Sequence, residues 1–183
     1  MFKDEILENS SRHKIYSIIK KNPGLHLREL QRTVDIPLAT LQYHLNYMVR
    51  RNIIIEEKSE HYTRYYVSAL EHEDKKLLSV LRNSRLREIV MIIIVNEKAK
   101  YQFLLEALKL PASTMSFYLK YLVDNNVIER TKIGYENIYT LKNQERIEKI
   151  LVSYQSSLLD KMVDKWTRTW LENHSQKEKS QPE

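Results

Sequence analysis

The chain has 183 residues, 42% of them hydrophobic and 30% charged, with a mean hydropathy of −0.54, which suits packed cores under a well-solvated surface and excludes general disorder. Its 30 Lys and Arg outnumber 24 Asp and Glu, giving a net charge of +6 and a pI near 9.3, a basic excess compatible with nucleic acid but too small to identify it. It contains no cysteine, so disulfides, thiolate metal sites and thiol redox chemistry are excluded.

Met1 to Glu5 lacks the apolar stretch of a signal peptide, and a cytoplasmic protein is expected. The first element is a helix capped by Ser10 or Ser11, with Ile15, Ile18 and Ile19 on one face. Asn22-Pro23-Gly24 ends it, because proline and glycine together break the helical ladder. A second helix is predicted from Leu27 to Val34, burying Leu27, Leu30 and Val34. After the turn Asp35-Ile36-Pro37, a third runs from Leu38 to about Arg51, burying Leu41, Leu45, Met48 and Val49. Ile53-Ile54-Ile55 is β-branched and reads as a strand; Arg64-Tyr65-Tyr66-Val67 reads as its return.

The pattern then repeats without gaps at an offset of 74. Residues 9–67 and 83–141 share 16 identities in 59 positions. Asn9-Ser10 matches Asn83-Ser84, Pro37 matches Pro111, Leu45 matches Leu119, and Asn52 matches Asn126. The second copy is predicted as helices over Ser84–Glu97, Tyr101–Lys109 and Ala112–Asn125, then strands over Val127–Thr131 and Asn137–Leu141 with Gly134 in the turn. Ile89 to Val95 is the longest apolar run. Its seven residues fall short of the ~20 that cross a bilayer, so no membrane role is expected and the run reads as a helix buried on most sides.

From Asn143 to His174 there is no proline or glycine. Ile147, Leu151, Tyr154, Leu158, Met162, Trp166 and Trp170 recur in steps of three and four, the stripe of one long helix. Roughly 30 residues of helix would reach about 45 Å. One small domain cannot bury such a stripe, so these residues are predicted to pair two copies as a homodimer. Ser175 to Glu183 carries no apolar group and is predicted to be disordered.

Three short helices followed by a β-hairpin are the plan of a winged helix-turn-helix. The segment Ile36-Pro37-Leu38-Ala39-Thr40-Leu41-Gln42-Tyr43-His44-Leu45-Asn46-Tyr47-Met48 resembles the turn and recognition helix of the ArsR/MarR-like superfamily. Arg51-Asn52-Ile53-Ile54 resembles the passage into that family's first wing strand. The duplication resembles archaeal regulators with two fused winged-helix domains. The resemblance implies a mainly α protein with small β-hairpin wings (α+β): tandem winged helix-turn-helix domains over 1–70 and 71–142, the second entered through a linker helix, a dimerisation helix over 143–174, and a tail over 175–183. It implies a DNA-binding transcription regulator.

Physical chemistry names the residues. A helix-turn-helix lays the start of its last helix against base edges in the major groove. In copy one the outward set is Ala39, Gln42, Tyr43, Asn46 and Arg50. Gln and Asn can bond adenine bidentately, and Ala can touch a thymine methyl. Thr40 can bond a phosphate; Arg28 and Arg32 lie where phosphates would pass; Lys58, His61 and Arg64 on the wing can reach the backbone or minor groove. Copy two offers Ser113, Ser116 and Lys120, but Arg50 and Arg51 become Asp124 and Asn125, and Arg28 and Arg32 become Gln102 and Glu106. Copy one is therefore the expected reader of double-stranded DNA, while copy two makes weaker phosphate contacts or serves as a packing or ligand module.

Blander accounts stand beside these. Gln42, Asn46 and Arg50 could be ordinary solvated residues, and Tyr47 is read as packing. The six histidines show no ligand spacing, so no metal is expected, and no cofactor. The tyrosines scatter through helices and strands and read as core and edge packing rather than as a stacking platform for single strands. With two glycines and no G-x-x-x-x-G-K, H-E-x-x-H or G-x-S-x-G motif, an enzyme is not expected. A small-molecule effector is compatible with the chain but nothing names it. The competing function is a protein-interaction adaptor in a chromosome or transcription complex.

Overall fold

A computed structural model describes residues 9–58, 63–158 and 161–178, with the side chains of 161–162 and 172–178 outside the description. Two compact units, Met1–Leu78 and Ser79–Glu183, divide the chain.

Among the described residues unit 1 begins with α1 (Ser10–Lys21), whose N-cap is Asn9 rather than a serine. The Asn9 side chain accepts hydrogen bonds from the amides of Ser11 and Arg12, both at 3.1 Å, satisfying donors that the first turn leaves unpaired. Gly24 (φ 81°) supplies the left-handed turn that reverses the chain. Its amide bonds the Tyr65 carbonyl at 2.8 Å, seeding a two-residue strand β1 (Leu25–His26). Then come α2 (Leu27–Val34) and α3 (Leu38–Arg50). The hairpin is β2 (Ile54–Lys58) and β3 (Thr63–Val67). The three strands form an antiparallel sheet of order β1-β3-β2. Ile15, Ile19, Leu30, Val34, Leu41 and Met48 are fully buried at the centre of the unit. Next is α4 (His72–Leu81). Buried Lys75 reaches Glu57 of β2 at 3.7 Å, and the Tyr66 hydroxyl donates to the Lys75 carbonyl at 3.5 Å, which ties the start of α4 to the wing.

Unit 2 has α5 (Ser84–Asn96), β4 (Ala99–Lys100), α6 (Tyr101–Leu108), α7 (Ala112–Asp124), β5 (Ile128–Ile133) and β6 (Glu136–Leu141). Its sheet order is β4-β6-β5. Asn83 caps α5 as Asn9 caps α1. Pro37 and Pro111 precede α3 and α7, and Asn52 and Asn126 take φ of 53° and 58°. Asparagine tolerates the left-handed conformation better than most side chains do. Leu25 faces Tyr65 in one sheet, and Ala99 faces Tyr139 in the other. The apolar run forms most of α5: Ile89, Val90, Met91 and Ile93 are fully buried, while Val95 is exposed.

The C-terminal stripe departs from expectation. In place of one rod there are α8 (Gln144–Ser153), α9 (Gln155–Leu158) and α10 (Lys161–Glu178). The break between α8 and α9 falls at Tyr154, whose carbonyl accepts both the amide and the hydroxyl of Ser157, at 2.9 and 2.8 Å. Serine competes with the helical ladder for backbone partners in this way. The helix α10 folds back on α8: the Trp170 indole donates to Glu148 at 2.9 Å, and Gln155 donates to Asp164 at 2.9 Å. Ile147, Leu151 and Leu158 are buried, while Tyr154, Trp166 and Trp170 are half-buried. The two tryptophan rings lie 6.3 Å apart. The chain thus covers much of this stripe itself, which removes the argument that only a partner subunit could. The Met162 side chain and the tail from 179 lie outside the described residues. No helix among the described residues is long and apolar enough to cross a membrane.

Candidate nucleic-acid interface

The helix α3 sorts its side chains cleanly. Leu41, His44, Leu45 and Met48 face the core, whereas Ala39, Thr40, Gln42, Tyr43, Asn46 and Arg50 are all exposed. Spacings of three and four put Ala39, Gln42, Tyr43, Asn46 and Arg50 on one stripe. Tyr43 is 64% exposed, too open to be serving as packing. Among the described residues no side chain caps α3, so its first-turn amides lie open beside Thr40, the arrangement that suits an anion such as phosphate.

The turn into α3 is set by Asp35, which ends α2 in the left-handed conformation (φ 56°), and by Pro37, whose φ of −56° suits a helix start. At its other end α2 carries a capping box. The His26 ring accepts from the Glu29 amide at 3.4 Å, and Glu29 accepts from the His26 amide at 2.9 Å. Arg28 and Arg32 are exposed on α2, with Arg28 held lightly by Gln31 at 3.3 Å.

The wing residues behave differently from one another. Lys58 is exposed and pairs with Glu56 at 3.1 Å. His61 lies outside the described residues. Arg64 is half-buried, and its guanidinium donates to the Gly24 carbonyl at 2.7 Å. Its first task is therefore to fasten β3 to the turn after α1, a commitment invisible to wing position alone. Tyr47 is packing, as its position suggested: Arg12 lies over its ring at 4.7 Å and Arg51 at 5.6 Å, contacts of the cation–π kind.

Beneath the stripe sits His44, 8% exposed, its ring edge-on to Tyr43 at 5.3 Å. Burial lowers its pKa, and the Arg12 guanidinium lowers it further. A histidine with a depressed folded pKa is neutral in the fold but takes up a proton when unfolded. Between its folded pKa and about 6.5 the unfolded state binds more protons, so stability rises with pH. Unit 1 is expected to melt at lower temperature at pH 5.5 than at 7.5, and His44→Gln should shrink that gap. A gap of the same size in both proteins would remove His44 as its source.

On α7 of unit 2, Ser113, Ser116 and Lys120 are exposed as expected, with Phe117 64% exposed beside them. Two of the three polar groups are engaged: Ser116 contacts the Tyr101 hydroxyl at 3.1 Å, and Lys120 pairs with Asp124 at 2.6 Å. The hairpin β5–β6 turns through Gly134 (φ 61°) and Tyr135, a fully exposed tip. Sequence reasoning passed over Arg130, Asn137 and Tyr139 on this wing. Comparing the copies position by position could have found Arg130, which stands where unit 1 has Glu56. Among the described residues no three His, Asp or Glu side chains gather as a metal site would require.

Helices α1–α3 with a three-stranded sheet define a winged helix-turn-helix, in an α+β chain of small antiparallel sheets. Residues 9–78 match a family described as an N-terminal HTH domain, which places unit 1 in the helix-turn-helix class. Over 136 residues the chain is 29% identical to an uncharacterised HTH-type transcriptional regulator of Methanocaldococcus jannaschii, a match covering 74% of this chain and 34% of that protein. The chain therefore spans about a third of that relative's length.

Proposed function

We propose that the protein is a transcription regulator that reads double-stranded DNA with α3 and the wing of unit 1. The observation that carries this is the exposed row Ala39, Gln42, Tyr43, Asn46 and Arg50 on a helix whose opposite face is locked into the core. An anchored helix with amide and guanidinium groups on its free face is what base readout needs. Arg28, Arg32 and Thr40 supply phosphate contacts in this reading. Equivalent caps and helices spaced 74 residues apart support a tandem pair of winged-helix domains, and an ArsR/MarR-like, archaeal type belongs to the same proposal. Unit 2 is the weaker DNA surface, with Lys120 already paired.

Selection of bound genomic fragments at moderate salt tests the reading directly. A recovered sequence preference is expected, and equal binding to all duplexes even at low salt would sink it. With a handful of phosphate contacts, log K should fall against log salt with a slope of about −3 to −6. A flat salt response would remove the phosphate contacts from the account. A homodimer belongs to the same proposal: half-buried Trp166 and Trp170 and exposed Leu171 offer an edge for a second copy. Sedimentation at micromolar concentration reads the mass, and a monomer would withdraw this part while leaving the DNA reading standing.

The adaptor reading has one observation in its favour. Phe117, Ile133 and Tyr135 of unit 2 are exposed, more apolar surface than a pure phosphate clamp needs. Stoichiometric capture of a protein with no duplex shift would choose it.

A further inference from the structure

Unit 2 contains a groove of about 470 Å³ between α7 and the hairpin β5–β6. Its floor is Leu119, Val123 and Tyr139, identical in kind to Leu45, Val49 and Tyr65 at the matching positions of unit 1. That part is dictated by the fold. The polar lining is not: Tyr101, Ser116, Arg130 and Asn137 replace Leu27, Gln42, Glu56 and Thr63. One scaffold position thus carries two different chemistries, and in unit 2 the polar groups converge on a concave space, as in small-molecule sites.

The charges in the groove nearly cancel. Lys120 and Asp124 form an ion pair at 2.6 Å. Arg130 remains, exposed and without an ion-pair partner among the described residues. Tyr139 is 5% exposed, and its hydroxyl makes no hydrogen bond among the described residues. Burial raises its pKa, against the pull of Arg130 and with a smaller push from Tyr101, so it stays a phenol and can donate. The Tyr101 hydroxyl, within 3.1 Å of both the Ala112 carbonyl and Ser116, holds one wall in place.

We propose that this groove binds a small monocarboxylate with a short apolar body, its carboxylate held by Arg130 and the Tyr139 hydroxyl and its body laid on Leu119 and Val123. A guanidinium fork matches a carboxylate in shape and charge. One uncompensated positive charge balances a monoanion, whereas a phosphate dianion would leave the groove negative. The apolar floor favours a ligand with hydrocarbon to bury. The site lies wholly within unit 2 and is independent of whether unit 1 binds DNA.

Amide NMR of the full chain, with no DNA present, tests this using three probes: hexanoate, its neutral counterpart hexanamide, and inorganic phosphate. Hexanoate should shift signals of Ser116, Lys120, Asn137 and Tyr139 saturably. Hexanamide and phosphate should bind at least tenfold more weakly. Arg130→Gln should weaken hexanoate at least tenfold while leaving the rest of the spectrum in place, because Arg130 is exposed and supports no core. Three results would overturn the proposal: no saturable shift with hexanoate, phosphate matching it, or unchanged hexanoate affinity in Arg130→Gln.

Discussion

Alanine at both Gln42 and Arg50 is expected to weaken binding to the selected duplex on the order of 100-fold, with the fold intact. Both side chains are exposed on α3, so their removal opens no cavity. A good base contact contributes about 1–3 kcal/mol of discrimination, and a factor of ten corresponds to about 1.4 kcal/mol. Two such losses therefore multiply to roughly two decades if the sites are independent. The single variants separate the roles. Gln42→Ala should relax preference at one base position, and Arg50→Ala, one helical turn beyond Asn46, should lower affinity across sequences if it contacts phosphate. Fluorescence anisotropy on cognate and scrambled duplexes measures both. Unchanged affinity in the double variant would take α3 out of the interface altogether.

Leu45→Ala is expected to destabilise unit 1 by about 2–5 kcal/mol, the usual range for a buried leucine truncated to alanine. Leu45 is 1% exposed and belongs to the same buried cluster as Ile19, Leu30 and Met48. A domain of this size has a total stability of only several kcal/mol, so the variant should be largely unfolded in unit 1 near physiological temperature. The outward face of α3 would lose its footing with it. Hydrogen exchange at Leu41 to Val49 reports this locally, and two-state treatment of the whole chain should be avoided because it has two units. Native protection at those amides in the variant would show that the packing around Leu45 is loose.

Much of the candidate interface is legible in the order of the residues. The bounds Leu27–Val34 and Leu38–Arg50 differ from the predicted helices by one residue at most. Asp35-Ile36-Pro37 is punctuation that acts locally: a left-handed aspartate, then a proline that cannot continue a helix. The exposed row on α3 follows from helical periodicity once the buried leucines are identified, because residues three and four apart must share a side. The repeat carries the same pattern twice. Long-range commitments are not legible in this way. Arg64 has the position of a wing cation, yet its hydrogen bond to Gly24 spans 40 residues. Strands β1 and β4 have two residues each, too short for any alternation to show.

The C-terminal segment marks the boundary between the two kinds of information. Composition and spacing marked residues 143–174 as helix-forming with an apolar stripe, because helix geometry depends on neighbours three and four positions away. Whether that stripe meets a second copy or doubles back depends on contacts such as Trp170 with Glu148, 22 residues apart. Ser157 capturing the Tyr154 carbonyl marks the interruption between α8 and α9, and the apolar surface covered by folding α10 onto α8 compensates for the ladder bonds lost there. Periodicity specifies which side of a helix must be buried; only the three-dimensional path of the chain chooses what buries it.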